Sequence, residues 1–124
     1  MELEKIHLFE KIQGQVEGLH KEIGLLSKKN PNDAVSKFKL KFINQTLQEA
    51  NVILAENYKP FDDFDTFDED TIPTNSDVTM IFEQYLGCLE KFRSDNIRIK
   101  NGNWCWIVDG SDDNIRTTPR MSKK

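Results

Sequence analysis

Three stretches of the chain carry apolar residues at intervals of three and four, the spacing that places side chains on one face of an α-helix. They predict helices over residues 3–27, 31–57 and 74–94. The first stretch keeps a heptad-like repeat for fewer than three heptads, which favours a seam packed within one chain; a homodimer through this helix is the alternative. The residues expected to face the core of the first helix are Phe9, Ile12, Val16, Leu19, Ile23 and Leu26.

Local signals mark where the second and third helices begin. Pro31 suits the first helical position, because its missing N–H and fixed φ cost nothing there. The third helix needs an N-cap, and Thr74, Asn75 and Ser76 are the candidates. The residues expected to face the core are Val35, Phe38, Phe42, Ile43, Leu47, Ala50 and Leu54 in the second helix, and Val78, Phe82, Tyr85, Leu89 and Phe92 in the third.

The apolar period changes to two after the third helix. Asn101-Gly102 is the preferred two-residue turn of a β-hairpin, so residues 97–108 are predicted to form one. Residues 115–118 are expected to add a short third strand, and residues 119–124 form a basic tail. The turn sets Ile97 opposite Trp106 and Ile99 opposite Trp104, with all four side chains on one face.

These elements predict a single domain over residues 1–124, in a helix-dominant α+β class. The architecture expected is a three-helix bundle-like core with a C-terminal β-hairpin or three-stranded antiparallel meander. Hydrophobic residues make up 37% of the 124 residues and charged residues 31%, a balance typical of globular proteins. The net charge of -4 argues against a protein that coats nucleic acid non-specifically, because that mode needs a broad cationic surface.

The sequence contains none of the spacings that signal catalysis, a cofactor or a metal. There is no nucleophile elbow, phosphate-binding loop or dinucleotide fingerprint, and His7 and His20 are too far apart to form one ligand face. Cys88 and Cys105 are expected to be free thiols, which favours a cytoplasmic location. No run approaches the ~18 apolar residues of a membrane span. We therefore expect a non-enzymatic protein with no cofactor, metal or membrane partner.

One stretch of the predicted connector, residues 58–73, is unusually acidic. Residues 61–70, here called the acidic segment, place three phenylalanines at intervals of three among six carboxylates. The spacing fails the calcium-loop pattern of an EF-hand, which makes metal binding less favoured than two other interpretations. The segment either packs its phenylalanines on the helices as a solvated connector or docks a partner. The candidate partner-binding residues are Phe61, Asp62, Asp63, Phe64, Asp65, Phe67, Asp68, Glu69 and Asp70.

Two functions from different classes follow from these patterns. The first is a protein-interaction module (an adaptor, inhibitor or immunity-type protein) that docks another protein through the acidic segment. The second, less favoured by the net charge, is a nucleic-acid-associated protein that uses the hairpin and the basic tail. Exposed indoles would favour the second function and buried indoles the first. The candidate nucleic-acid or peptide face comprises Arg98, Lys100, Trp104, Trp106, Arg116 and Arg120.

Overall fold

A computed structural model describes residues 1–110 and 115–119. It contains three helices followed by a two-stranded antiparallel hairpin, so the predicted helix-dominant α+β class is confirmed. The elements are α1 (Leu3–Lys29), α2 (Lys37–Tyr58), α3 (Asn75–Asp95), β1 (Ile97–Lys100) and β2 (Asn103–Trp106).

Helix α1 supplies one wall of the core and makes its most extensive helix contacts with α3. Leu19 and Leu26, two of the six residues predicted to face inward, are only half-buried. Ile6, one turn before the predicted stripe, is fully buried. The stripe is therefore covered within this chain over most of its length, and a homodimer through α1 would have to use another face. The four predicted residues that are fully buried are Phe9, Ile12, Val16 and Ile23.

Helix α2 begins six residues later than predicted. Pro31 does not start it, because residues 31–33 form a turn and a bend and Ala34 then pairs with Thr74 in an isolated antiparallel bridge. The cap is Ser36, whose hydroxyl accepts a hydrogen bond from the Lys39 backbone at 3.1 Å. A pairing with a segment about forty residues away therefore overrides the local proline signal.

The predicted inward face of α2 is wrong at two aromatic positions. Phe38 is 74% exposed and Phe42 is 41% exposed, whereas Leu40 and Ile53 are buried in the core. Each helical residue turns the side-chain direction by about 100°, so two neighbouring residues such as Phe42 and Ile43 cannot share one narrow stripe. The core takes Ile43 and leaves the two phenylalanines outside. The predicted inward residues that are buried are Val35, Ile43, Leu47, Ala50 and Leu54.

Helix α3 begins as the sequence predicts. Thr74 is the N-cap, and it forms a reciprocal capping box in which its hydroxyl accepts from the Asp77 backbone and the Asp77 carboxylate accepts from the Thr74 backbone, both at 3.1 Å. The predicted stripe is confirmed, since all five of its residues are buried: Val78, Phe82, Tyr85, Leu89 and Phe92.

The hairpin has the predicted register. Ile97 pairs with Trp106, and Ile99 pairs with Trp104. The shared face is divided along its length, because Ile97 and Trp106 are buried against the helices while Ile99 is 62% exposed and Trp104 is half-buried. The base of the hairpin thus belongs to the core and its tip projects from it.

The turn and the far edge of the hairpin follow the sequence only in part. Asn101 and Gly102 both have positive φ, as a two-residue turn of the predicted type requires. Beyond the turn, Cys105 forms an isolated bridge with Arg116, so the described residues contain a short pairing in place of the predicted third strand. Of the predicted basic tail, residues 120–124 lie outside the described residues.

Candidate functional site

Two asparagines on α2 fasten the acidic segment along that helix. Asn44 exchanges two hydrogen bonds of 2.9 Å with the backbone N–H and carbonyl of Phe67. Asn51 donates to the Asp65 carbonyl at 3.0 Å and accepts from the Tyr85 hydroxyl at 2.6 Å. Because the two asparagines lie seven residues apart, they share one face of α2. The middle of the segment is therefore held at two backbone positions, Asp65 and Phe67, and the Asn51 side chain is itself supported by Tyr85 of α3.

The phenylalanines of the acidic segment point toward the fold. Phe61 and Phe64 contact edge to face with ring centroids 6.1 Å apart, and Phe64 and Phe67 do so at 5.1 Å. All three are half-buried and pack against the core. They therefore anchor the segment to its own helices, as the connector interpretation predicts.

The carboxylates of the acidic segment point outward, and all six are exposed. Asp65 forms an ion pair with the Lys59 ammonium at 2.6 Å, and this hydrogen bond raises the pKa of Lys59. Within the described residues, Asp62, Asp63 and Glu69 form no hydrogen bond or ion pair. The segment thus presents a ridge of exposed carboxylates on a fixed backbone, with Lys59 neutralising part of the charge at Asp65.

The ridge does not gather its carboxylates into a cation site. In the part of the chain that the structure describes, no group of three or more carboxylate, imidazole or thiol side chains is placed to hold a metal ion. Asp68 uses one carboxylate oxygen to accept a 2.8 Å hydrogen bond from the Asp70 backbone, which fixes a local turn. The arrangement is suited to long-range attraction of a cationic surface.

The hairpin does not bring the two tryptophans together at the surface. Trp106 is 1% exposed and contacts the Phe9 ring edge to face, with centroids 5.0 Å apart. Trp104 is half-buried near the tip. Half of the predicted stacking platform therefore belongs to the core. Of the basic residues proposed for this face, Arg98 and Arg116 are exposed, Lys100 is half-buried and Arg120 lies outside the described residues.

A buried arginine that the sequence analysis did not single out fastens the end of the described chain. Arg93, only 5% exposed, donates to Glu10 at 3.2 Å, to Glu90 at 3.4 Å, to the Gln13 side-chain oxygen and to the Thr118 carbonyl. Its partners come from α1, α3 and the segment after the hairpin, so one guanidinium links all three. A periodicity argument could have found it, because Arg93 follows the stripe residue Leu89 by four and so shares its face.

The Arg93 network borders a cleft of about 350 Å³ between α1 and the segment after the hairpin. Glu10, Glu17 and Arg116 also line it. Because the Arg93 guanidinium already donates to acceptors of its own chain, we interpret the side chains around this cleft as stabilising the fold. They join distant segments, and the positive charge of Arg93 is not free to bind a ligand.

A second feature missed by the sequence analysis lies on α2. The rings of Phe38 and Phe42 contact edge to face, with centroids 5.1 Å apart, and both are exposed. Lys37 and Lys41, with the same spacing of four, are exposed beside them, and the Lys41 ammonium lies 6.0 Å from the Phe42 ring centroid. These four residues are called the basic-aromatic patch. The sequence pattern from which this patch could have been predicted is the alternation of lysine with apolar residues in the first two turns of α2.

The cysteines lack the environment of a catalytic thiol. Both are free, with Cys105 buried on β2 and Cys88 half-buried on α3. Burial raises the pKa of the Cys88 thiol, whereas a nucleophilic cysteine needs a lowered pKa. Cys88 therefore does not resemble an activated nucleophile, and Cys105 is buried away from solvent.

The chain matches no protein-family model, no curated protein and no solved structure. Its function is therefore argued from its own residues alone. Among the described helices, none combines the length and the apolar character that crossing a bilayer requires.

Proposed function

We propose that this protein is a non-enzymatic interaction module that docks a basic surface of another protein through the carboxylates of the acidic segment. The observation that carries the proposal is the fixed backbone of that segment, with its phenylalanines turned inward and its carboxylates turned outward. An adaptor, an inhibitor and an immunity-type protein would all work in this way, by docking or by occlusion.

Fixing the backbone matters for affinity. A disordered acidic stretch loses conformational entropy when it binds, whereas a segment that is already ordered loses little. The clamps from Asn44 and Asn51 provide this order without using any carboxylate, since both asparagines bond only to the backbone of the segment. The carboxylates of Asp62, Asp63 and Glu69 therefore stay available for a partner.

The proposal assigns the phenylalanines and the carboxylates different tasks. Phe61, Phe64 and Phe67 hold the ridge in place, so replacing them should disturb the fold of the segment before it affects a partner directly. Asp62, Asp63 and Glu69 attract and orient the partner, so replacing them should spare the fold. Complementary charge acts mainly on the rate of association and on the choice of partner.

The experiment that tests the proposal compares two charge-matched triple variants. The first changes Asp62→Asn, Asp63→Asn and Glu69→Gln on the ridge. The control changes three exposed carboxylates elsewhere, namely Glu2→Gln, Glu4→Gln and Asp33→Asn.

Affinity capture from lysate with each protein, followed by mass spectrometry, should recover basic partners with wild type and with the control, and should lose them with the ridge variant. Thermal melts of both variants close to that of wild type establish that the folds survive. Equal recovery of the same proteins by the ridge variant and the control would contradict the proposal.

A further inference from the structure

We propose that the basic-aromatic patch of α2 is a second docking surface, whose partner is an amphipathic helix that combines apolar and acidic side chains. This goes beyond the function proposed above, because the surface has the opposite charge and takes a different partner. Together the two surfaces would let the protein bridge a basic and an acidic partner.

The first argument is the exposure of two aromatic rings that contact each other. Phe38 is 74% exposed and Phe42 is 41% exposed, although α2 buries a full row of apolar residues on its other side. Single exposed apolar residues are normal, but adjacent aromatic rings are typical of interface anchors. Within the described residues, nothing covers the two rings.

The second argument is the charge beside the rings. Lys37 and Lys41 form no ion pair within the described residues. Lys39, on another face of the same helix, pairs with Glu22 of α1 at 3.0 Å and so is used to join the two helices. Two lysines thus remain in a row along the aromatic pair, and carboxylates of a partner would complement them.

The third argument is a groove that continues from Phe42 between α1 and α2. It has a volume of about 560 Å³, and Gly18 and Leu19 contribute to its lining. A side chain at Gly18 would meet no atom within 4 Å, so the groove is open there. Lys11 and Glu49 carry opposite charges and Glu22 is paired with Lys39, so the groove itself is close to neutral and the positive charge comes from Lys37 and Lys41 beside it. Its apolar part, formed by Phe42, Leu19 and Gly18, would accept an apolar side chain of an amphipathic helix whose acidic residues face the two lysines.

The fourth argument comes from the neighbouring face of α2. Lys41 lines a cavity of about 800 Å³ together with Asp68, Glu69 and Asp70 of the acidic segment. Helix α2 therefore already receives an acidic and aromatic segment of its own chain beside the patch. An external acidic helix would repeat this chemistry on the face that is still open.

The test uses a synthetic amphipathic helical peptide with leucines on one face and glutamates at its edges. A second peptide carries lysines in place of the glutamates, and vesicles of phosphatidylglycerol and phosphatidylcholine represent an anionic membrane. Fluorescence anisotropy of labelled peptide measures binding to the full chain, and backbone NMR shifts locate it. We expect saturable binding of the glutamate peptide, with shifts at residues 37–42 and at Gly18, whereas the lysine peptide should shift the acidic segment and leave residues 37–42 and Gly18 unshifted.

Two double variants test the patch itself. Phe38→Ser with Phe42→Ser, and Lys37→Glu with Lys41→Glu, should each weaken binding about tenfold or more. Val52→Ser removes another exposed apolar residue of α2, which is 76% exposed, and Lys28→Glu with Lys29→Glu changes the same charge on α1. Both controls should stay within about twofold of wild type, because neither touches the patch or its groove.

Four results would overturn the inference. They are no saturable binding of the glutamate peptide up to about 1 mM, equal shifts at residues 37–42 from the two peptides, tight binding to the vesicles with no shifts at residues 37–42 from the glutamate peptide, and self-association that buries the patch without any peptide. Circular dichroism and thermal melts show whether each variant is folded.

Discussion

At the scale of single residues, burial separates side chains that look alike in the sequence. Trp104 and Trp106 stand two positions apart on one strand face, yet only Trp106 reaches the core. Phe38 and Phe9 are both on amphipathic helices, yet one is in solvent and the other is fully buried. The consequences for stability can be tested residue by residue.

The two tryptophans should contribute unequally to stability. Trp106→Ala is expected to lower the free energy of unfolding by about 3–5 kcal/mol, because it empties a packed site against Phe9. Trp104→Ala should cost less than half as much, since its ring is half-buried. Denaturant unfolding of both variants measures the difference. Equal losses would place the two rings in equivalent environments, contrary to the structure.

Tyr85 makes the fold sensitive to alkali. Burial raises the pKa of Tyr85 from 10.0 to about 12, and the nearby Asp65 carboxylate also raises it, while the hydrogen bond with Asn51 opposes them. The unfolded chain therefore loses this proton at lower pH than the folded chain, so the stability it contributes is full below pH 10 and is lost as the pH rises towards about 12.

The comparison that isolates this effect uses Tyr85→Phe. Relative to its own stability at neutral pH, the variant should lose less free energy of unfolding than wild type across that alkaline window, because it has no phenol to ionise. Denaturant unfolding at a series of pH values measures this difference. Parallel curves for the two proteins would show that Tyr85 does not carry the alkaline sensitivity.

Arg93 should matter more than any surface charge. Arg93→Ala leaves its partners without their shared guanidinium and is expected to cost about 3–5 kcal/mol of unfolding free energy. Arg93→Lys should recover only part of this, because an ammonium cannot reproduce the planar fork of a guanidinium. Unfolding curves measure the cost.

Amide hydrogen exchange at Thr117, whose N–H bonds to the Trp104 carbonyl at 3.1 Å, reports whether the segment after the hairpin has loosened. Exchange at Thr117 as slow as in wild type, in both Arg93 variants, would show that the guanidinium does not fasten this segment.

At the scale of elements, the sequence correctly predicted those features of helices and strands that depend on residues close together in the chain. The stripe of α3, a cap among Thr74, Asn75 and Ser76, and the register around Asn101-Gly102 are local patterns that have the predicted form, and the stripe of α1 is buried at four of its six predicted positions. The start of α2 was wrong because the bridge between Ala34 and Thr74 is a contact between distant segments. The exposed phenylalanines were missed for another reason, because the predicted inward face of α2 was too wide and took in Phe42 together with its neighbour Ile43.

In the candidate site, too, the local feature could be predicted from the sequence and the contacts between distant segments could not. The composition of the acidic segment marks it in the sequence, but the clamps that order it cannot be read there. Asn44 and Phe67 are 23 residues apart, and a hydrogen bond from an asparagine side chain to a distant backbone group produces no periodic pattern in the sequence. The division of labour between inward phenylalanines and outward carboxylates likewise depends on how the segment lies against α2.

The end of α2 contains a backbone conformation that glycine would relieve. Ala55 has φ 53° and ψ -165°, a region in which a Cβ is strained. Ala55→Gly should therefore raise the free energy of unfolding by about 1 kcal/mol. Gln48→Gly, at an exposed helical position of the same helix, should lower it by about 1 kcal/mol. Thermal or denaturant unfolding distinguishes the two, and destabilisation of similar size in both would contradict the assigned conformation.

At the scale of the whole molecule, the net charge is small although the protein has two surfaces of opposite charge. The net charge of -4 is the sum over the chain, yet α2 carries a clamped acidic ridge on one face and an unpaired lysine row with two exposed rings beside it. The core beneath them is built from all three helices and the base of the hairpin. We infer that the fold serves as a rigid frame on which α2 displays these surfaces.

The central claim is that the acidic ridge docks a basic protein surface by electrostatic attraction. Its most direct test is the association rate constant of a captured partner, measured by stopped flow over a series of salt concentrations. The proteins compared are wild type, the ridge variant with Asp62→Asn, Asp63→Asn and Glu69→Gln, and the control variant with Glu2→Gln, Glu4→Gln and Asp33→Asn. We predict that the ridge variant associates more slowly at low salt and with a flatter salt dependence, while the control follows wild type. Superimposable salt dependences for all three proteins would contradict the claim.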